Sequence, residues 1–186
     1  MVFDVSEWDG PLKLSDVDER PKFPLTVTHE CVCIDTLGKV VTPCQIKDKP
    51  TIEWEGKNDK KLYTVILTDP DVPSKSDRSM AQWHHFLVVN VKGNDLNSGT
   101  TLTEYVGSGA GKDTGLHRYT WLVYEQSAPL KCDELHVSDK TAERREKFNA
   151  AAFRKKYGLG PPVAAICFLA EWDESVPELY KQLGVA

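Results

Sequence analysis

Along the chain, short runs of apolar, β-branched and aromatic residues alternate with polar stretches rich in Gly, Pro, Asn and Asp. Leu25 to Ile34, Thr51 to Trp54, Lys61 to Thr68, Trp83 to Val91 and Arg118 to Glu125 have the composition of strands, since such side chains pack well on a half-buried pleated surface. The apolar run Val163 to Trp172 reads as one more, buried strand. Clusters such as Lys92-Gly93-Asn94-Asp95 punctuate them as turns. The intervening segments are mostly too irregular for crossover helices. The pattern therefore predicts a mainly β protein, with a largely antiparallel sheet or two-sheet sandwich rather than a doubly wound one.

Helical patterning is confined to the end of the chain. Thr141 to Tyr157 is rich in helix formers, carries acids early and Arg154-Lys155-Lys156 late, and is followed by Gly158 where a left-handed cap belongs. Ser175 and Glu178 have capping-box spacing, and Val176, Leu179, Tyr180 and Leu183 form a stripe that should dock on the sheet. Arg144, Arg145, Lys147, Arg154, Lys155 and Lys156 read as one basic, solvated helix face, with an acidic partner or an anionic membrane surface as its alternative contact.

At 186 residues the chain is expected to form one domain, 1–186, and to fold without disulfide staples. Its 40% hydrophobic and 27% charged residues exclude whole-chain disorder. With 23 basic against 28 acidic residues, the net charge of -5 argues against nucleic acid as a partner. Met1 to Asp9 lacks the basic and apolar regions of a signal peptide, and no apolar run approaches the roughly 18 residues of a membrane span. Five cysteines at irregular spacing suit free thiols in a reducing compartment, so a cytoplasmic monomer is expected. Cys31 and Cys33 share a face, with Cys44 near in sequence, and read as small buried hydrophobes rather than metal ligands.

Three segments carry candidate chemistry. Asp69-Pro70-Asp71-Val72-Pro73 ends a strand in a stiff turn, because proline removes a ladder donor and fixes its own φ. In Trp83-His84-His85-Phe86-Leu87-Val88-Val89-Asn90, alternation sends the two histidines to opposite faces and puts His85 with Trp83, Leu87 and Val89. Gly107-Ser108-Gly109-Ala110-Gly111 leaves a backbone free to aim successive amides at an anion, and runs into a strand on which His117, Tyr119 and Trp121 share a face. A P-loop, a dinucleotide fingerprint and a nucleophile elbow all fail at Val106, Ala110, Lys112 or Asp113. If these segments converge, the amides and a protonated His85 would hold a phosphate. Asp69 would then meet an ammonium, stay protonated or orient His85. For a histidine near pKa 6.5, anion affinity should rise as pH falls from about 8 to 6. A metal-dependent hydrolase built on Asp69, His85 and His117 is the rival from another class, though no metal-motif spacing supports it.

The three segments in this order, together with Tyr105-Val106 and Gly115-Leu116-His117-Arg118-Tyr119, closely resemble the phosphatidylethanolamine-binding protein family in its animal, Raf kinase inhibitor-like branch. The resemblance runs from about Trp8 to the last helix. It implies a large central antiparallel sheet packed on a smaller one, C-terminal helices, and no catalysis, cofactor or metal. It also implies a pocket for phosphoethanolamine-like head groups or small anions at Asp69, Asp71, Pro73, Trp83, His85, Gly107, Ser108, Gly109, His117 and Tyr119, with Tyr180 at the rim. Roles in modulating Raf/MEK-type kinase signalling and in serine protease inhibition are implied as well. Departures from the branch are Ala110-Gly111 in place of two prolines, Met80 in place of a tyrosine, and Ala152 where the branch carries its switch serine.

Overall fold

The structure is a computed structural model that describes residues 3–185, so Met1 and Val2 of the N-terminal stretch lie outside the described residues, as does Ala186. Strands β1 (Phe23–Thr28), β2 (Cys33–Ile34), β3 (Lys39–Val40), β4 (Thr51–Trp54), β5 (Leu62–Asp69), β6 (Trp83–Lys92), β7 (Thr100–Thr103), β8 (His117–Gln126) and β9 (Ala164–Ala170) are accompanied by helices α1 (Ala150–Lys156) and α2 (Val176–Gln182). The main sheet has the order β1-β9-β8-β5-β6-β7, with β5 antiparallel to β6 and β8, and β8 antiparallel to β9.

Strand β1 belongs to both layers. Phe23 and Pro24 run parallel to Ala164 and Ala165 of β9, whereas Leu25 to Thr28 pair antiparallel with β4, and Val27 and Thr28 also with β2. The expected small sheet is thus continuous with the large one. With β3 also parallel to β9, the main sheet is mixed rather than purely antiparallel. Period-two alternation divides the core. Val65, Leu67, Trp121, Val123, Ile166 and Phe168 pack against Leu25, Val27, Ile52 and Trp54 of the small sheet. On the other face Ile66, Leu122, Tyr124 and Ala165 are covered by Trp8, Leu14, Val17 and Phe153 of α1.

Several expectations are corrected. Leu25 to Ile34 is two strands joined by a turn closed by His29 N–H donating to Val32 O. The helix expected over 141–157 covers only Ala150–Lys156, capped by Asn149 and ended by Gly158 at φ 68°. Residues 141–149 instead form an irregular strap that bonds to the start of β6, through His84 N–H to Arg145 O and a reciprocal pair between Gln82 and Phe148. Tertiary hydrogen bonds override helix propensity here. The basic face dissolves for the same reason: Arg145 and Arg154 are buried, and Lys156 is paired with Asp133 and Glu134. Cys31 and Cys44 are exposed and only Cys167 is fully buried, so the cysteines are mostly not core residues.

Candidate ligand-binding site

Because β5 is antiparallel to both of its neighbours, its last residues lie beside the first residues of β6 and β8. Asp69 faces Trp83, and Thr68 faces Thr120. The three sequence segments therefore meet at one end of the sheet. A bulge refines the arrangement: Leu67 pairs with Phe86 but Thr68 with His84, leaving His85 as an extra residue on β6. As a result Trp83 and His85 face the same side as Phe86 and Val88, while Leu87 and Val89 face the other core, contrary to simple alternation.

A cavity of about 280 Å³ opens there. Asp69, Pro73, Trp83, His85, Gly109, His117, Tyr119 and Tyr180 all line it. Its wall also includes residues not anticipated as pocket residues: Val72, Thr114, Ala142, Leu179, Leu183 and Val185. The helix stripe at Leu179 and Leu183 was the sequence signal for two of these, since the face expected to dock on the sheet closes the cavity instead. Tyr180 Oη donates to Gly109 O at 2.8 Å and ties α2 to the glycine loop. A Cβ at Gly109 would stand 3.0 Å from Leu179 Cδ2, so the glycine permits this close approach.

The floor is polar. His117 Nδ1 lies 2.8 Å from Asp69 Oδ2, and Asp69 Oδ1 accepts the Asp71 amide at 2.7 Å. Thr114 donates its one hydroxyl proton to Gly111 O at 2.7 Å, so its 2.8 Å contact with His117 Nε2 requires Nε2–H to donate. A second proton is then shared between His117 Nδ1 and Asp69, and the pair carries no net charge. Burial pushes the Asp69 carboxyl above its ordinary range, against the opposing pull of His117. Asp69 thus orients His117, not His85.

His85 has a different environment. Its Nδ1–H donates to Gly107 O at 2.9 Å, leaving Nε2 with no hydrogen bond among the described residues. Burial first, and the nearby Arg145 cation second, lower its pKa to about 3. The ring is neutral at physiological pH and Nε2 is an acceptor, which corrects the expectation of a protonated His85 and of a pH dependence between 8 and 6 arising from it. Tyr119 is fully buried, edge-on to His85 with ring centroids 5.2 Å apart. Its hydroxyl faces the amides of Gly109 and Ala110 without closing a bond, and burial pushes its pKa well up, so it remains a donor. The amides of residues 107–111 make no hydrogen bond among the described residues.

Three sequence candidates lie outside this cavity. Asp71 turns back to Arg118, whose Nη2 and Nε reach its carboxylate at 2.8 and 3.0 Å. Burial would raise the Asp71 pKa, but these bonds outweigh it and the carboxyl is held below its usual range. Gly107 packs against Ile46 O, where a Cβ would come within 2.8 Å. Ser108 belongs to the lining of a different groove, with Cys44, Lys47 and Val176, and its own hydroxyl is buried. Asp69, His85 and His117 do not form a ligand set for a metal, because Asp69 and both nitrogens of His117 are spent on protein partners.

The sequence model of the family described as phosphatidylethanolamine-binding protein matches residues 15–160. A putative odorant-binding protein A5 of Drosophila melanogaster is 37% identical over 167 residues, 90% of this chain and 79% of that protein. The solution structure of CG7054 is 36% identical with a TM-score of 0.70, covering 94% of this chain and 97% of the other. A carboxypeptidase Y inhibitor, solved in complex with its cognate proteinase, shares the fold at 22% identity and a TM-score of 0.74, covering 91% of this chain and 95% of the inhibitor. Motifs, fold and relatives together make the chain a member of the phosphatidylethanolamine-binding protein family.

Proposed function

We propose that this protein is a non-enzymatic binding protein whose cavity takes a small ligand bearing a phosphorylated or zwitterionic head group. The observation that carries the reading is the unspent hydrogen-bonding capacity of the floor. The Tyr119 hydroxyl is a donor without an acceptor, the Gly111 amide makes no hydrogen bond among the described residues, and His85 Nε2 is an acceptor without a partner. An oxyanion suits the donors and an ammonium or hydroxyl group the acceptor. Both charges in one head group meet both needs, while Pro73, Trp83, Leu179 and Leu183 supply an apolar wall. The family relative named as an odorant-binding protein fits capture of a small molecule rather than catalysis. Five unpaired cysteines support residence in the cytoplasm.

Isothermal titration with O-phosphoethanolamine tests the reading. His85→Ala and Asp69→Ala are each expected to weaken binding about tenfold or more, with thermal melts showing that the variants remain folded; removing a hydrogen-bonding group from a buried site has this order of effect. Unchanged affinity in both would remove the cavity from the function. Modulation of Raf/MEK-type kinases ranks behind pocket binding, because the branch's switch residue is Ala152 here.

A further inference from the structure

Three arginines of this chain have buried side chains, and they differ in one respect. Arg118 is 2.8 Å from Asp71 and Arg154 is 2.8 Å from Asp18, each a carboxylate partner. Arg145 is fully buried, yet among the described residues it forms no ion pair. Its donors go entirely to carbonyls. Nε donates to Thr141 O at 2.9 Å, and Nη2 to Ser138 O at 2.9 Å and Glu104 O at 3.0 Å. Nη1 is shared between His84 O and His85 O at 3.3 and 3.4 Å. Burial lowers its pKa to about 10, with Asp139 and Glu104 opposing, so the guanidinium remains charged at neutral pH. Those two acids are 36% and 41% exposed, and water screens them.

The charge stands directly behind the cavity. The guanidinium carbon lies 5.3 Å from the centre of the Trp83 ring, which in turn lies 4.4 Å from the His85 ring. Both rings line the floor, where the Asp69–His117 pair, His85 and Tyr119 sum to no net charge. The floor itself therefore offers no net charge, and the Arg145 cation stands behind two of its rings. A buried cation is costly to hold unless an anion answers it, and no carboxylate among the described residues pairs with this one.

We propose that Arg145 is the residue that makes the cavity select an oxyanion, acting through Trp83 and the β6 backbone without touching the ligand. This deepens, and rests on, the head-group reading above. At separations of about 10 Å and an effective dielectric of about 20, one unit charge changes the affinity of another by roughly tenfold.

The test uses hexyl phosphate and 1-hexanol, which share an alkyl chain and differ in charge. Wild-type protein is expected to prefer hexyl phosphate. Arg145→Met should lower hexyl phosphate affinity about tenfold and leave hexanol affinity unchanged, and Arg145→Lys should restore the preference while keeping only the charge. Equal losses for both probes, or no loss for hexyl phosphate, would make Arg145 a structural clasp and overturn the inference. Failure of the wild-type protein to bind hexyl phosphate would instead overturn the head-group reading itself. Should neither variant fold, the Nε–H resonance of Arg145 in the wild-type protein decides. Titration with hexyl phosphate is expected to shift it while those of Arg118 and Arg154 stay fixed, and its staying fixed would overturn the proposal.

Discussion

A buried hydroxyl left without a partner costs a folded protein about 1–3 kcal/mol, and Tyr119 holds such a group at the floor of the cavity. Tyr119→Phe is therefore expected to leave the empty protein as stable as wild type, or up to about 1 kcal/mol more stable, while weakening O-phosphoethanolamine binding about tenfold. A melt and a calorimetric titration of the same preparation read the two opposite signs; a variant that is destabilised yet binds normally would show the hydroxyl to be structural. Which polar groups would be free was not legible from residue identity. Asp69 and Asp71 share a motif, but one turns to His117 and the other to Arg118, a choice made by strands distant in sequence. The tautomer of His85 is likewise fixed by Gly107 O, a contact that no local pattern reveals.

Strands β4, β5, β6 and β8 were read to within a residue because their apolar runs are local, whereas the short β3 and β7 were missed and Leu25 to Ile34 proved to be two strands; the position of the cavity followed from where β5, β6 and β8 begin and end. The strap over 141–149 was hidden for the converse reason. Its residues favour a helix, but Arg144 and Lys147 adopt φ of 66° and 57°, and backbone bonds to β6 outweigh propensity. Reading it as a basic helix also concealed Arg145 as a buried charge. Helix α2 spans Val176–Gln182, too short to be stable by itself, and its attachment to the glycine loop rests on Tyr180 Oη and on packing by Leu179 and Leu183. Tyr180→Phe removes one hydrogen bond worth about 1 kcal/mol. Amide exchange across 176–183 is expected to quicken about fivefold while the protection of β5 and β8 is unchanged, since the helix opens locally rather than with the sheet. Uniform quickening across the sheet would show that α2 is instead part of the global unfolding unit.

For the molecule as a whole, two adjacent buried histidines set the response to acid. Burial and Arg145 lower the pKa of His84 to about 4 and of His85 to about 3, whereas the unfolded chain titrates both near 6.5. Below pH 6.5 the unfolded state binds the extra protons, so the stability contributed by neutral, buried rings is present above that pH and is lost as pH falls toward the folded values. At pH 5 the loss is about 2 kcal/mol for each histidine, because 1.5 pH units below 6.5 have been traversed at about 1.4 kcal/mol each. Asp69 acts in the opposite sense: its raised pKa makes the folded state the better proton acceptor above the unfolded carboxylate value, and that contribution grows on acidification. Two histidines stand against this one carboxyl. Urea midpoints at pH 7 and pH 5 are expected to fall in the wild-type protein and to fall much less in a His84→Gln, His85→Gln double variant. A fall of equal size in the double variant would place the acid sensitivity elsewhere in the fold.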